Sequence, residues 1–273
     1  MDRETGMQSL TEFTWERQPE AEKLVRELVA EFLARCPEAK SLAERMTAEM
    51  GTRFVDWIDL ILMPGSNRGF QSRLNSAGFT VESMEEGENG AASVHVQSHG
   101  VFPRFVLAEG ADFEIWVKVD SVADFLAANP WAGEPEVEGQ PLARMRTASV
   151  AKSASVALRV VERHGDRGRF PSPSLKNAQH GILSLHHLEL FRRRRREFSI
   201  EDAGFGHCEK LIDAAIADLG VDLACDLFFA AEREYWQRRN RAAQFQKARQ
   251  DRLGLGWANH DHHTYRCSRK HFS

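Results

Sequence analysis

The chain has 273 residues, 42% hydrophobic and 28% charged, enough for one large or two modest domains with a real core. A formal net charge of −4 argues against a general affinity for nucleic acid or anionic membrane, and no apolar run approaches the ~20 residues of a membrane span. Cys36, Cys208, Cys225 and Cys267 form no Cys-x-x-Cys pair, and acidic residues stand where a basic-then-apolar leader would, so a reduced, soluble, cytoplasmic protein is expected.

Over residues 19–50 apolar side chains fall in helical pairs, Leu24/Val25, Leu28/Val29 and Phe32/Leu33, then Leu42 and Met46. Pro37 divides this stripe into two short helices. Residues 54–63 are short, β-rich and closed by Pro64-Gly65, which predicts a strand. A short helix over 67–77 follows, stopped at Gly78, and residues 79–81 open the next strand. Residues 93–96 and 102–107 are strand candidates. Residues 112–119 alternate cleanly: Phe113, Ile115, Val117 and Val119 on one face, Glu114, Trp116 and Lys118 on the other. Asp120 and Ser121 can cap a helix carrying Val122, Phe125 and Leu126. A Pro/Gly/Glu-rich loop over 129–139 precedes strands at 142–147 and 154–161, and a Gly/Pro/Ser stretch over 165–174 has the composition of a linker.

The last third is helical in pattern at 183–197, 208–219 and 222–253, with Gly220 as a stop and Asp222 as a cap. After Gly254-Leu255-Gly256 comes Asn259-His260-Asp261-His262-His263-Thr264-Tyr265-Arg266. Read as a strand, it points His260, His262, Thr264 and Arg266 one way. Two imidazoles at i and i+2 can reach one first-row metal ion, and Arg266 can clamp a carboxylate. Read as a tail, it is only a His-rich end. A lone strand cannot satisfy its own backbone groups, so as a strand it must pair with the earlier β module or belong to an incomplete second one, which a homo-oligomer could complete.

The run from Phe54 to Val161 resembles the vicinal oxygen chelate fold, the superfamily of glyoxalase I and of the extradiol and keto-acid dioxygenases. Trp57-Ile58-Asp59-Leu60-Ile61-Leu62 is similar to that fold's opening strand, and 114–122 to the start of its second half. Val161-Glu162-Arg163-His164-Gly165 resembles the closing strand of keto-acid dioxygenase members. In overall layout the chain resembles the 2-oxoadipate dioxygenase/decarboxylase family, whose ligand histidine opens a His-x-Thr-x-Arg stretch, matched here by 262–266. The resemblance implies an α+β fold: a vicinal-oxygen-chelate-like curved mixed sheet over 52–165, an N-terminal helical segment over 1–51, a linker and helical segment over 166–258, and a terminal strand over 259–273. It implies a metal-dependent dioxygenase or lyase acting on a small 2-oxo carboxylate, with Fe(II) first and Zn or Mn as alternatives. His262 takes a ligand position. Trp57 stands where the family's other histidine belongs, and the family's carboxylate ligand would fall beyond Ser273. A metal site is therefore to be rebuilt from His262, His260 and Glu114, with Arg266 and Lys118 on the substrate, or completed by a second chain, or lost.

Each candidate has a plainer reading. Glu114 and Lys118 can be a solvated sheet face. His95 and His99, beside Gly100, can be structural, as can His186 and His187, which as helix neighbours point about 100° apart. Arg192-Arg193-Arg194-Arg195-Arg196, enlarged by Arg238, Arg239, Arg241 and Lys247, can bind phosphate or an acidic partner. It can also be a helix face neutralised by Glu189, Glu197, Glu201 and Asp202. The two rival functions are thus a non-catalytic binding protein on the same fold and a nucleic-acid-binding protein using the arginine run. No nucleophile elbow or Walker loop is present.

Overall fold

The computed structural model describes residues 16–65, 68–87, 90–141, 143–153, 155–169 and 178–258. Two N-terminal helices, α1 (Pro19–Arg35) and α2 (Pro37–Arg45), each begin on a proline, whose missing N–H costs nothing in a first turn. A π-helical turn, Met46–Met50, and a 3-10 turn, Phe54–Trp57, lead into the sheet. Its elements run β1 (Ile58–Pro64), α3 (Arg68–Ser76), β2 (Thr80–Gly87), β3 (Gly90–Val96), β4 (Arg104–Ala108), β5 (Phe113–Lys118), α4 (Val122–Ala128), β6 (Met145–Ser153) and β7 (Val156–Arg163). Helices α5 (Ala178–Arg193), α6 (Glu201–Leu219), α7 (Val221–Gln237) and α8 (Arg241–Arg252) follow.

The seven strands form one open mixed sheet in the order β2-β3-β4-β1-β5-β7-β6. Its two halves repeat one connection. In the first, β1 is followed by α3, and the chain returns through β2 and β3 to lay β4 parallel to β1. In the second, β5 is followed by α4 and returns through β6 to lay β7 parallel to β5. The halves meet where β1 and β5 pair antiparallel. The second half is one strand shorter among the described residues. In its place the loop before β6 makes a single antiparallel bridge, Glu138 to Thr147. The fold is α+β, a vicinal-oxygen-chelate-like sheet with helices before and after it.

Alternation on the strands decides what lies on each face. Ile61, Phe105, Ile115, Val117, Leu158 and Val160 face the main core beneath α1, α3 and α4. Leu24, Val25, Leu28 and Phe32 of α1 pack there too, with Phe32 edge-on to Phe113 at 5.3 Å. Each such buried side chain contributes about 1.5–3 kcal/mol. Leu60, Leu62, Val94, Val106, Trp116 and Val161 face the other way and form a second, smaller cluster.

Several boundaries differ from expectation: α5 lies earlier than 183–197 and α6 begins before 208, and three further differences have a local physical cause. The run 54–63 starts as a 3-10 turn because the Asp56 carboxylate accepts from the Arg53 backbone N–H and guanidinium. This places Trp57 in the core ahead of the strand, its indole N–H donating to Thr52 Oγ1 at 3.1 Å. Strand β6 extends through the weakly apolar stretch 148–153, held by its pairing with β7. The helix expected over 222–253 is two, because Asn240 leaves helical geometry and its side chain caps α8, accepting from Ala243 N–H at 3.1 Å. Ser121 caps α4 as expected, accepting from Asp124 N–H at 3.2 Å. No described helix is long and apolar enough to cross a membrane.

The helical part has its own core of Phe191, Ala215, Leu219, Leu223, Leu227 and Ala231, and among the described residues it meets the sheet unit past α8 and at the end of β7. Past α8, Leu255 O accepts from Asp120 N–H at 3.1 Å and Leu253 O from Asn129 Nδ2 at 2.8 Å. At the end of β7, His164 sits between Glu162 (3.0 Å) and Asp226 of α7 (3.2 Å). Burial opposes its charge, but the two carboxylates win and lift the imidazolium to about 9. The folded pKa is raised, so the stabilisation is complete below about 6.5 and is lost as pH rises through about 9. The ring is 37% exposed, and screening limits the effect to about 1 kcal/mol. Wild type is expected to exceed His164→Asn in thermal midpoint at pH 6, with the gap closing by pH 10. A gap independent of pH would mean that the imidazolium does not hold this junction.

Candidate functional site

Four strands, β4, β1, β5 and β7, make the centre of the sheet. On the face away from α1 and α3 they present mostly apolar side chains: Leu60, Leu62, Val106, Ala108, Trp116 and Val161. Glu114 breaks that pattern. It stands on β5 beside Leu62 of β1 and Ala157 of β7, half-buried. Partial burial lifts its carboxyl above the usual range, against the pull of the Trp116 indole N–H, which donates to Oε2 at 2.7 Å, and of the nearby Arg159. Arg159 lies over the Trp116 ring at 5.2 Å and pairs with Glu138. A carboxyl raised by desolvation is suited to proton transfer or, once ionised, to metal ligation, and the guanidinium beside it to holding an anion.

The chain leaving β7 turns back over this face. Arg163 reaches Asp59 at 2.8 Å and donates to the carbonyls of Asp166 (3.3 Å) and Gly168 (2.6 Å). Arg104 donates to Arg167 O at 2.6 Å, while Arg167 and Arg169 approach Glu82 and Glu85 of β2 at 3.5 and 3.9 Å. Residues 163–169 therefore run from β7 across β4 to β2 as a strap. The Asp59–Arg163 pair that anchors it joins residues 104 apart in sequence.

Of the five residues singled out for metal and substrate, Glu114 and Lys118 are described; His260, His262 and Arg266 lie outside the described residues. Glu114 and Lys118 share a face of β5 but stand four residues apart, roughly 13 Å along the strand. Among the described residues no three of His, Cys, Asp and Glu converge on one metal-sized point. Glu114 is thus one donor where a site needs three or four. His95 is buried on β3 beside Phe105, bonded to Ser93 Oγ at 2.9 Å, and burial lowers its pKa. His99 is tied by its backbone N–H to Gln97 Oε1 at 2.6 Å. His187 is buried against Asp218 at 2.7 Å, while His186 is exposed.

The arginine run has a structure of its own. It leaves α5 and folds against α7, where Arg194 and Arg196 enclose the buried Glu232, with Arg196 Nη2 at 2.6 Å. Burial would raise this carboxyl, yet the two guanidiniums hold it down at about 2. Arg192 and Arg238 share Glu234, and Arg193 pairs with Glu189. Arg196 and Arg239 lie over the Tyr235 ring at 3.5 and 3.7 Å. The acids that meet the run are therefore chiefly Glu232 and Glu234 of α7. Lys247, considered with the run, pairs instead with Asp251.

No protein-family model matches the chain, and no curated protein matches it. Among solved structures it is similar to a "putative hydrolase" from Shewanella frigidimarina, with 10% identity over 56% of this chain and 98% of that one, at a TM-score of 0.45. It is also similar to a mutant of glyoxalase I from Zea mays, with 12% identity, 39% of this chain, 43% of that one and a TM-score of 0.29. Unmutated glyoxalase I from the same plant gives 9% identity, 39% and 42% coverage, and a TM-score of 0.28. The chain spans less than half of either glyoxalase structure. All three likenesses are weak, and the fold rests on the strand order and the repeated connection of this chain itself.

Proposed function

We propose that the protein is a metal-dependent enzyme of the vicinal-oxygen-chelate type acting on a small 2-oxo carboxylate, with the Glu114 face of the sheet as its reacting surface. The position of Glu114 supports the reading: a half-buried carboxyl on a central strand of a mostly apolar sheet face, with Arg159 near enough to shift its titration. The described residues do not complete a metal site, so the reading requires His260 and His262 to supply the imidazoles, from this chain or a second copy. A divalent ion so held, Fe(II) first, would act as a Lewis acid on the α-keto oxygen or as a centre for O₂ chemistry. In this reading Arg266 and Lys118 hold the substrate carboxylate.

A second reading, a non-catalytic binding protein on the same fold, draws support from the strap. Its arginines and their acidic partners already occupy part of the face where a substrate would lie. Metal analysis separates the two. In the enzyme reading, protein purified without a tag under anaerobic conditions carries near-stoichiometric iron, zinc or manganese, and both Glu114→Gln and His262→Ala lose it. Absence of bound metal after Fe(II) loading of the wild type would sink the enzyme reading and leave the binding protein. Retention of full metal by Glu114→Gln would remove Glu114 from the site.

A further inference from the structure

We propose that the arginine-rich cleft between the end of α5 and the face of α7 is a binding site for a small, multiply phosphorylated ligand, separate from the sheet face. The cleft has a volume of about 600 Å³, within the range of small-molecule sites. Six guanidiniums line it, from Arg192, Arg194, Arg195, Arg196, Arg238 and Arg239. The carboxylates among and beneath them are Glu197, Glu232 and Glu234, so positive charge is in excess by three.

The arginines divide into two groups. Arg194 and Arg196 are committed to the buried Glu232, and Arg192 and Arg238 to Glu234. Arg195 and Arg239 meet no carboxylate among the described residues. Arg195 donates from Nε to Glu197 O at 2.7 Å and lies over Phe198, while Arg239 donates to Tyr235 O at 3.3 Å and lies over Tyr235. Stacking and backbone bonds hold these two heads in place without cancelling their charge, so less rotamer entropy is lost when an anion arrives. Arg196 adds a buried Nε–H that has no hydrogen-bond partner. Unspent donors and unbalanced charge in one concavity describe a site for an anion with several oxygens, and guanidinium forks match phosphoryl oxygens two at a time.

The cleft favours a compact ligand over a nucleic-acid strand. Both faces of Tyr235 are covered, by Arg196 at 3.5 Å and Arg239 at 3.7 Å, which leaves that ring unable to stack a base. The chain as a whole carries a net charge of −4, so no long-range positive field draws in a polyanion.

The test is calorimetric titration of the full chain with inorganic tripolyphosphate, in parallel with a short single-stranded RNA. One-to-one saturable binding of tripolyphosphate is expected, weakened by added salt. The double variant Arg195→Gln/Arg239→Gln should weaken it about tenfold or more, since two charge-assisted contacts go while the Glu232 cluster stays intact. Arg193→Gln, outside the cleft, should stay within about twofold of wild type. Arg239→Gln alone, expected to weaken binding in part, serves if the double variant fails to fold. Absence of saturable tripolyphosphate binding, or equal binding by wild type and the double variant, would overturn the site. RNA binding lost in the double variant, with no binding of tripolyphosphate, would overturn the small-ligand assignment in favour of nucleic acid.

Discussion

Glu232→Gln is expected to lower the stability of the protein by about 3–5 kcal/mol. The carboxylate of Glu232 is only 6% exposed and lies between Arg194 and Arg196, themselves 10% and 13% exposed. Glutamine keeps the shape and one acceptor but leaves two guanidiniums facing each other with no negative charge between them. Removing one member of a buried ionic cluster costs more than the cluster contributes, because the remaining charges keep their desolvation penalty. Wild type should show the same dependence as a function of pH. The Glu232 pKa is depressed from 4.5 to about 2, so its stabilisation is present above about pH 4.5 and is lost as pH falls through about 2. Urea unfolding at neutral pH checks the first expectation, and adding Arg196→Met to Glu232→Gln should recover part of the loss. A loss under about 1 kcal/mol would show that water already screens the cluster.

That cluster also marks what the sequence could and could not reveal. The five arginines are legible at a glance, but the acids a reader reaches for, Glu189, Glu197, Glu201 and Asp202, are the nearby ones. The acid that matters lies 36 and 38 residues downstream of the arginines it serves, on a helix whose packing against α5 is a tertiary fact. The spacing of Glu232, Glu234 and Tyr235 on α7 is a faint signal at best, since such residues decorate most helix surfaces. The sheet face behaves the same way. Alternation in 112–119 placed Glu114 opposite the core correctly, because strand periodicity is local. The strap did not show, because Asp59 and Arg163 are brought together only by the crossover order of the sheet.

The fold was more legible than the sites for a related reason. The α1 stripe and the β5 alternation follow from burial on one side of a regular element, and a single residue such as Pro37 or Ser121 sets an end. Where burial gives no pattern, reading fails: Ala148, Ser149, Ala151 and Ser153 do not announce a strand, and β6 exists because β7 offers it a ladder. The short second half of the sheet follows from residues 129–139, whose prolines and glycines cannot supply a full strand and leave only the Glu138 bridge.

Gly165→Ala is expected to destabilise the protein by about 2–5 kcal/mol, through the junction between the sheet and the helices. The chain leaves β7 at Gly165 with φ of +61°, where a side chain costs about 1–2 kcal/mol in strain alone. An added Cβ would also lie 2.6 Å from the backbone of Asp222 and 2.7 Å from Leu223 N, in the first turn of α7. Neither is a flexible side chain that can swing aside, so α7 or the end of β7 must shift. A shift there also pulls Asp226 away from His164 and disturbs the hydrogen bonds from Arg144 to the carbonyls of His164 and Gly165. Gly110→Ala is the matched control, because φ there is +69° and no atom lies within 4 Å of the new Cβ. It should cost the strain alone. Chemical denaturation of both variants therefore isolates the contact between β7 and α7 from the backbone preference of glycine. Equal losses would mean that α7 does not press on the strand exit in solution, and the helical part would then have to be held to the sheet by the Leu253 and Leu255 contacts with α4 instead.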